Sequence, residues 1–412
     1  MMQAAPAPAR IAPRASPTRL SPLDHPTLRW PQHEADEIAA ATHVLETGRV
    51  NSMVHGEQGR AFEAEFAAFC GMPRGIAVSN GTVALELALR ALGIGAGDEV
   101  ILPSRSFFAS AACIVAVGAT PVFADIDPVS NNIDPASVRR MLSPRSRAII
   151  CVHLAGWPCD MDALRALADE KGLWLVEDCA QAHGATLHGR PVGGFGDAAA
   201  FSFCTDKIMS TGGEGGMLLL RDEAHWKRAW AYKDHGKNPD KFFAPAPASG
   251  FRYLHDSFGS NWRMTEMQAA IGRAQLAKLP GWLARRRRNA QVLMPLLRAV
   301  PGLEVPEIPG HVGHAFYRLY VTIAADRLGE GGTAPVIDRM ARMGMPVGSG
   351  SCADMTREAA FAAMDVRRDG MLPVAQDMGR RSIAFPVDHL LDDADMQRLA
   401  NCLAIALAEQ DR

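Results

Sequence analysis

The chain has 412 residues, and its 43 Lys and Arg nearly balance 45 Asp and Glu, for a net charge of −2. That length predicts two domains with ample apolar material for a core. The charge balance removes the basic footprint that nucleic-acid-binding domains carry, so no nucleic-acid partner is expected. Eight cysteines (Cys70, Cys113, Cys151, Cys159, Cys179, Cys204, Cys352 and Cys402) lie without CxxC or His-rich spacing. This argues against a disulfide framework or a metal site and for reduced thiols in the cytoplasm. No apolar run approaches the roughly 18 residues that span a bilayer, so no membrane partner is expected.

Residues 1–22 are rich in Pro, Ala and Arg and hold no acid, which reads as a disordered leader. Ordered structure is expected from Leu23. Residues 33–47 place Ile38, Ala41, Val44 and Leu45 at helical spacing before Gly48, a natural helix stop. A second amphipathic helix covers Gly59–Cys70, with Phe62, Phe66 and Phe69 along one side. Next come a strand (Ile76–Val78), a turn (Ser79-Asn80-Gly81) and a helix (Thr82–Leu92) whose inward stripe is Leu85, Leu89 and Leu92. Further strands are expected at Glu99–Pro103, Thr120–Ala124, Ala148–Val152, Trp174–Val176, Ala199–Phe203 and Gly216–Leu220. Strands alternating with helices predict an α/β domain built on a mostly parallel sheet.

The stretch Arg221–Asp256 reads as irregular. Thr265 and Gln268 form a capping box for a helix that Pro280 is expected to end. A long helix from Gly281 to Val300 then leads into a smaller domain with a strand at His314–Ile323 and helices at 333–344 and 392–409. The expected division is a leader (1–22), a large domain (23–280) and a small C-terminal domain (281–412). The run Arg285–Arg288 reads as a solvated helix face.

Several constellations bear chemistry. Ser79-Asn80-Gly81-Thr82 follows a strand and opens a helix, which points free amides and a positive helix end at the sheet edge. That suits a phosphate, and an ordinary helix cap is the alternative. Asp178 closes a buried strand where open α/β sheets bind ligands, and it would hold a pyridinium nitrogen protonated or cap a helix. Gln181 is near enough to bond a phenolic oxygen, while His183 reads as a packed, hydrogen-bonded histidine. Ser202 and Lys207 lie at the end of the next strand, beside Thr211-Gly212-Gly213-Glu214-Gly215-Gly216. A lysine there has little reason to serve packing, and imine chemistry wants an amine tuned by its site. Phe107 either stacks on a flat cofactor or belongs to the core.

Together SNGTVALELAL, GDEVILPSRSF, VEDCAQAHGA, FSFCTDKIMSTGGEGG and NWRMTEMQAAIG resemble the DegT/DnrJ/EryC1/StrS sugar aminotransferases, from Trp30 to about Pro386. The resemblance implies the aspartate aminotransferase-like (type I) pyridoxal phosphate fold, with a large α/β domain and a smaller α+β C-terminal domain. It implies pyridoxal 5′-phosphate as cofactor and Lys207 as its Schiff-base lysine and proton carrier. Asp178 would face the ring nitrogen, Gln181 the ring 3-oxygen and Phe107 the ring face. Gly81, Thr82 and Ser202 would hold the phosphate, joined by Asn261 from a neighbouring subunit of a homodimer with shared active sites. The implied reaction moves an amino group from glutamate or glutamine to a nucleotide-linked keto-deoxysugar of the 4-keto type. A keto-cyclitol acceptor and a cofactor-binding sensor are the alternatives.

The chain departs from the family pattern in the longer TGGEGG turn, in Arg105 and in Ser260-Asn261-Trp262. Arg105, Lys237 and the Arg285 run are candidates to meet an acceptor's diphosphate. Residues Gly348–Cys352 resemble a small-domain loop near the active site.

Overall fold

Segments such as Glu99–Pro103 and Ala198–Ser202 are buried along their whole length, so they have no polar face for solvent and must lie inside a covered sheet. A computed structural model describes residues 30–245 and 249–408 of the chain. The expected leader lies outside the described residues.

The central sheet has eight strands in the order β1-β9-β8-β5-β4-β2-β3-β13. They are β1 (Arg74–Val78), β2 (Glu99–Pro103), β3 (Thr120–Ala124), β4 (Ser146–Val152), β5 (Trp174–Asp178), β8 (Ala198–Ser202), β9 (Gly216–Leu220) and β13 (Arg367–Arg368). Only β9 runs antiparallel to its neighbours, β1 and β8. Short strands β6 (Thr186–Leu187), β7 (Arg190–Pro191) and β11 (Val312–Gly313) form a separate ribbon. Helices α1 (Ala35–Thr47), α2 (Glu57–Phe69), α3 (Gly81–Ala91), α4 (Ala109–Ala116), α5 (Pro135–Met141) and α6 (Met161–Lys171) precede or link the strands. On one face Phe62 and Phe66 of α2 pack with Phe201, Phe203 and Met217; on the other Leu85, Leu87 and Leu89 of α3 meet Val78, Ala200 and Leu218. In α1, Ile38 and Leu45 face solvent, and the inward positions are Val44 and Glu37, whose carboxylate bonds Lys278.

The stretch from Arg221 to Asp256 holds more order than its composition predicts: α7 (Glu223–Lys233) and α8 (Pro239–Phe243). Asp222 caps α7 by accepting from the amides of Ala224 and His225, and Asn238 caps α8 in the same manner.

Pro280 does not end its helix. The capped helix α9 runs unbroken from Glu266 to Arg298. Pro280 is exposed, while Leu279 and Leu283 on either side of it are buried in the same core cluster. Burying two leucines contributes roughly 3–6 kcal/mol, which offsets the ~3 kcal/mol cost of an interior proline. Of the arginine run, Arg285 and Arg288 are exposed but Arg286 is fully buried and donates to the Phe316 carbonyl.

Beyond α9, strands β10 (Leu303–Glu304), β12 (Leu319–Ile323) and β14 (Ser382–Phe385) form a small sheet. It packs with α10 (Ala334–Arg342) and α12 (Asp393–Ala408) around Leu293, Val321, Phe385 and Leu403, and α11 (Pro373–Arg381) leads into β14. The expected strand from His314 is shorter because Phe316 takes a left-handed backbone (φ 52) and its amide donates to His314 Nδ1. The chain also crosses the expected division at 280 a second time. β13 returns to the large sheet beside β3, where Arg367 and Arg145 both bind the buried carboxylate of Glu99. A charge in a sheet interior needs such partners.

Candidate active site

Register brings three backbone segments to one edge of the sheet. Gly216 pairs with Val78 on one side and Ser202 on the other, so the turn leaving β1 and the end of β8 are next-but-one neighbours. A Cβ at Gly216 would lie 2.4 Å from the Asn80 carbonyl oxygen, and one at Gly81 would lie 2.6 Å from the Cβ of Ser202. Both glycines are therefore required by close approach. The cap of α3 is Asn80, whose side chain accepts from the Val83 amide. Thr82 is thereby released from capping and stands exposed at the helix N-terminus. Gly81, Thr82 and Ser202 line one cavity, and the positive end of α3 opens into it.

Asp178, the last residue of β5, is 5 % exposed. Its Oδ2 accepts from Ser110 Oγ at 2.8 Å and its Oδ1 from the Ala180 amide at 3.1 Å. Burial pushes its carboxyl above the ordinary range, against the lowering effect of those two hydrogen bonds. No cation stands within ion-pair distance of it among the described residues. Next to it Glu177 points to the opposite face, where it accepts from the amides of Gly193, Phe195 and Gly196 and contacts His153 Nε2 at 3.1 Å. The alternation of a strand thus separates a structural acid from one free for a ligand.

Gln181 is held at both ends of its amide. Its Oε1 accepts from the Ala155 amide at 2.7 Å, and its Nε2 donates to Ser351 Oγ at 3.3 Å. His183 is buried among Phe66, Phe201 and Phe203, and neither ring nitrogen has a hydrogen-bond partner among the described residues. The ring is packed as expected, but its geometry to the neighbouring Ser202 backbone falls short of a hydrogen bond. Burial holds its pKa down to about 3, so the ring is neutral and apolar in effect.

Lys207 follows β8 in a turn closed by the glycines. Gly212 and Gly213 both have positive φ, 81 and 119, and the Gly213 carbonyl accepts from the amide and hydroxyl of Thr205. The longer TGGEGG turn thus supplies two consecutive left-handed residues. Lys207 Nζ lies 3.3 Å from Asp206 Oδ2, which also accepts from the Tyr317 hydroxyl at 2.5 Å. Burial opposes ionisation of Asp206, but Lys207 and the Tyr317 hydroxyl hold its carboxyl below the ordinary value.

Gly81, Thr82, Phe107, Asp178, Gln181, Ser202 and Lys207 all line this cavity of about 570 Å³. Phe107 is 66 % exposed at its mouth, which rules out the core alternative. Asn261 is the predicted residue left out: it pairs with the backbone of Asp234 and does not line the cavity of its own chain. Of the groups expected to meet a diphosphate, Arg105 is 1 % exposed and donates to Asn131 and Ser382, and Lys237 is also buried. Neither reaches the cavity. A second cavity of about 490 Å³ adjoins the first and is closed by Tyr317, Arg318, Tyr320 and the loop from Pro346 to Ser351. Sequence pattern did not single out Tyr317, Arg318 or Asp206.

The donor set suits pyridoxal phosphate. A buried carboxylate without a cation would meet the ring nitrogen, a helix N-terminus closed by two glycines would meet the phosphate, and an amine stands between the two cavities. Among the described residues no helix is long and apolar enough to cross a membrane.

The DegT/DnrJ/EryC1/StrS aminotransferase family model matches residues 31–404. The chain is 35 % identical to the dTDP-3-amino-3,4,6-trideoxy-alpha-D-glucose transaminase of Streptomyces venezuelae over 370 residues, 90 % of this chain and 91 % of that protein. It is 36 % identical to the L-glutamine:2-deoxy-scyllo-inosose aminotransferase of Streptoalloteichus tenebrarius over 403 residues, 92 % of this chain and 93 % of that one. The aminotransferase from Psychrobacter cryohalolentis, a solved structure, superposes with a TM-score of 0.90 at 43 % identity, covering 94 % of this chain and 100 % of its own. The fold is therefore the type I fold of pyridoxal phosphate enzymes. The chain belongs to the DegT/DnrJ/EryC1/StrS family of sugar aminotransferases and is a pyridoxal phosphate-dependent transaminase.

Proposed function

We propose that the protein moves an amino group from glutamate or glutamine to a nucleotide-linked keto-deoxysugar of the 4-keto type, with Lys207 and Asp178 as its catalytic residues. The observation that carries the site assignment is the convergence of Lys207, Asp178 and the α3 N-terminus on one cavity. When bound, pyridoxal phosphate supplies an electron sink that lets an amino acid lose its Cα proton and its amino group. Lys207 Nζ would tether the cofactor and carry the proton that the donor's Cα gives up. The Asp178 carboxylate keeps a proton on the ring nitrogen. Ser202, Thr82 and Gly81 hold the phosphate, Gln181 Nε2 meets the ring oxygen, and Phe107 covers the ring face.

Asn261 serves the site of a second copy in this reading. Close to it along the chain Phe251, Tyr253 and Phe258 are 78 %, 82 % and 98 % exposed, an apolar surface that a homodimer would cover. The eight cysteines are all free, which suits the cytoplasm. The 36 % identity to an aminocyclitol enzyme supports a keto-cyclitol as the second acceptor class. The deciding experiment incubates the amine-loaded enzyme with nucleotide-linked keto-sugars and keto-cyclitols and reads the mass change from ketone to amine. Amination of a keto-sugar supports the first reading, and amination of cyclitols alone replaces it with the second.

A further inference from the structure

Asp206 and Lys207 line both cavities, and their side chains meet although they are neighbours in the chain. Consecutive side chains of a strand point to opposite faces. Here the chain has left β8 for a turn, in which the Lys207 amide donates to the Cys204 carbonyl, and both side chains come to one side. Lys207 Nζ lies 3.3 Å from Asp206 Oδ2, the only carboxylate within ion-pair distance of it among the described residues. That same oxygen accepts from the Tyr317 hydroxyl at 2.5 Å, and Nζ stands 5.2 Å from the centre of the Tyr317 ring. Tyr317 is buried, and burial with the adjoining carboxylate pushes its ionisation up, so the hydroxyl keeps its proton and remains a donor. The other titratable or charged groups facing the amine are Asp178, bonded to Ser110 and the Ala180 amide, the neutral ring of His183, and Arg318 beside the Tyr317 ring.

A lysine that carries a proton changes charge as it works. The donor's Cα–H bond breaks, its electron pair passes into the bound cofactor's ring, and a new N–H bond turns Nζ from a neutral amine into an ammonium. At that moment Nζ has also lost its covalent anchor and hangs on a flexible four-carbon stem. An exposed ion pair contributes little when two long side chains must be ordered to make it. Asp206 differs in that its carboxylate is already oriented by Tyr317, a residue from beyond α9, and the Lys207 side chain is only 14 % exposed. We propose that Asp206, oriented by Tyr317, is the counter-ion of Lys207: it holds the freed Nζ at the junction of the two cavities and stabilises the positive charge that proton transfer creates there. Asp206 is thus a positioning residue that acts through Lys207, and its role rests on the reading of Lys207 as tether and proton carrier.

The test mixes cofactor-free wild-type, Asp206→Asn and Asp206→Glu proteins with pyridoxal phosphate across a range of pH and follows the yellow absorbance that forms. Only a neutral amine reacts with the aldehyde, so the rate climbs with pH along a limb set by the Lys207 amine. Without the carboxylate the ammonium is less favoured. Asp206→Asn should therefore move that limb to lower pH and react about 5- to 10-fold faster than wild type at a fixed pH on it, with Asp206→Glu between the two. In the loaded enzyme the direction reverses: with donor deuterated at Cα, a single turnover by Asp206→Asn should be slower than wild type and show a larger isotope effect. Binding of pyridoxine 5′-phosphate, which has no aldehyde, should stay unchanged. An unmoved limb in Asp206→Asn overturns the inference alone, as does a loss of pyridoxine 5′-phosphate binding, which would mark a structural role. A yellow form that persists in Lys207→Arg overturns the reading of Lys207 and this inference with it.

Discussion

Gly81 and Ser202 touch across the sheet edge so closely that a Cβ on Gly81 would stand 2.6 Å from that of Ser202. The contact fixes the start of α3 against the end of β8, and the proposed phosphate cradle is the space they share. Gly81→Ala should push the helix N-terminus away from Ser202. Overpacking of this kind costs about 1–3 kcal/mol, equivalent to roughly 5- to 150-fold in the dissociation constant for pyridoxal phosphate. Fluorescence titration of the cofactor-free protein measures it, and an unchanged constant would place the phosphate elsewhere.

Asp178→Asn keeps the shape of the side chain and its bond to Ser110 while removing the charge. Turnover should fall by roughly 100-fold or more, the scale of losing one preorganised electrostatic partner, while cofactor-free stability holds or rises because a buried charge is gone. A pH dependence follows from the same residue. Burial raises the carboxyl above the ordinary value, so the cofactor-free protein takes up this proton at a higher pH than a free aspartate would. Cofactor affinity should weaken as pH falls into that range, because the carboxylate needed by the ring nitrogen is then lost. The affinity of Asp178→Asn should lack that acid limb.

Asp234 joins the site's periphery to the fold. Its side chain is 1 % exposed and binds Lys233 at 2.6 Å and also Arg263, while its backbone pairs with Asn261. Burial opposes ionisation, but the two cations outweigh it and hold the carboxyl below its ordinary value. With a depressed folded pKa, this stabilisation is present above the unfolded value, near 3.9, and disappears as pH falls through the folded one. Asp234→Asn should therefore destabilise the protein at pH 7 by about 3 kcal/mol. The gap to wild type in denaturant melts should narrow below about pH 4. A gap that widens in acid contradicts the sign.

Much of the large domain was legible because its signals are local. β2, β3 and β9 fall on their expected residues, since fully buried apolar runs between helices allow few alternatives. Gly81 stood out in a turn between a strand and a helix, and Lys207 because it follows a buried strand and precedes a glycine-rich turn. What the sequence concealed depends on tertiary context. Pro280 lies inside α9 because flanking leucines are buried in one core cluster, which no local rule anticipates. Arg318 hides in a run that reads as continuous strand, and the break comes from a left-handed phenylalanine, Phe316, with no glycine to announce it. By contrast, Asp222 ahead of Glu223–Lys233 is a visible cap, with Trp226, Ala229 and Trp230 at helical spacing behind it, so α7 was recoverable.

Every other role proposed for the site depends on Lys207 as the residue that holds the cofactor. Borohydride reduction of the yellow holoenzyme, followed by digestion and mass mapping, tests it directly. One lysine-containing peptide should be heavier by the reduced pyridoxal phosphate group, with Lys207 as the modified residue and no label in Lys207→Arg. Reduced cofactor on another lysine, or a Lys207→Arg protein that still takes the label and transaminates at the wild-type rate, would contradict it.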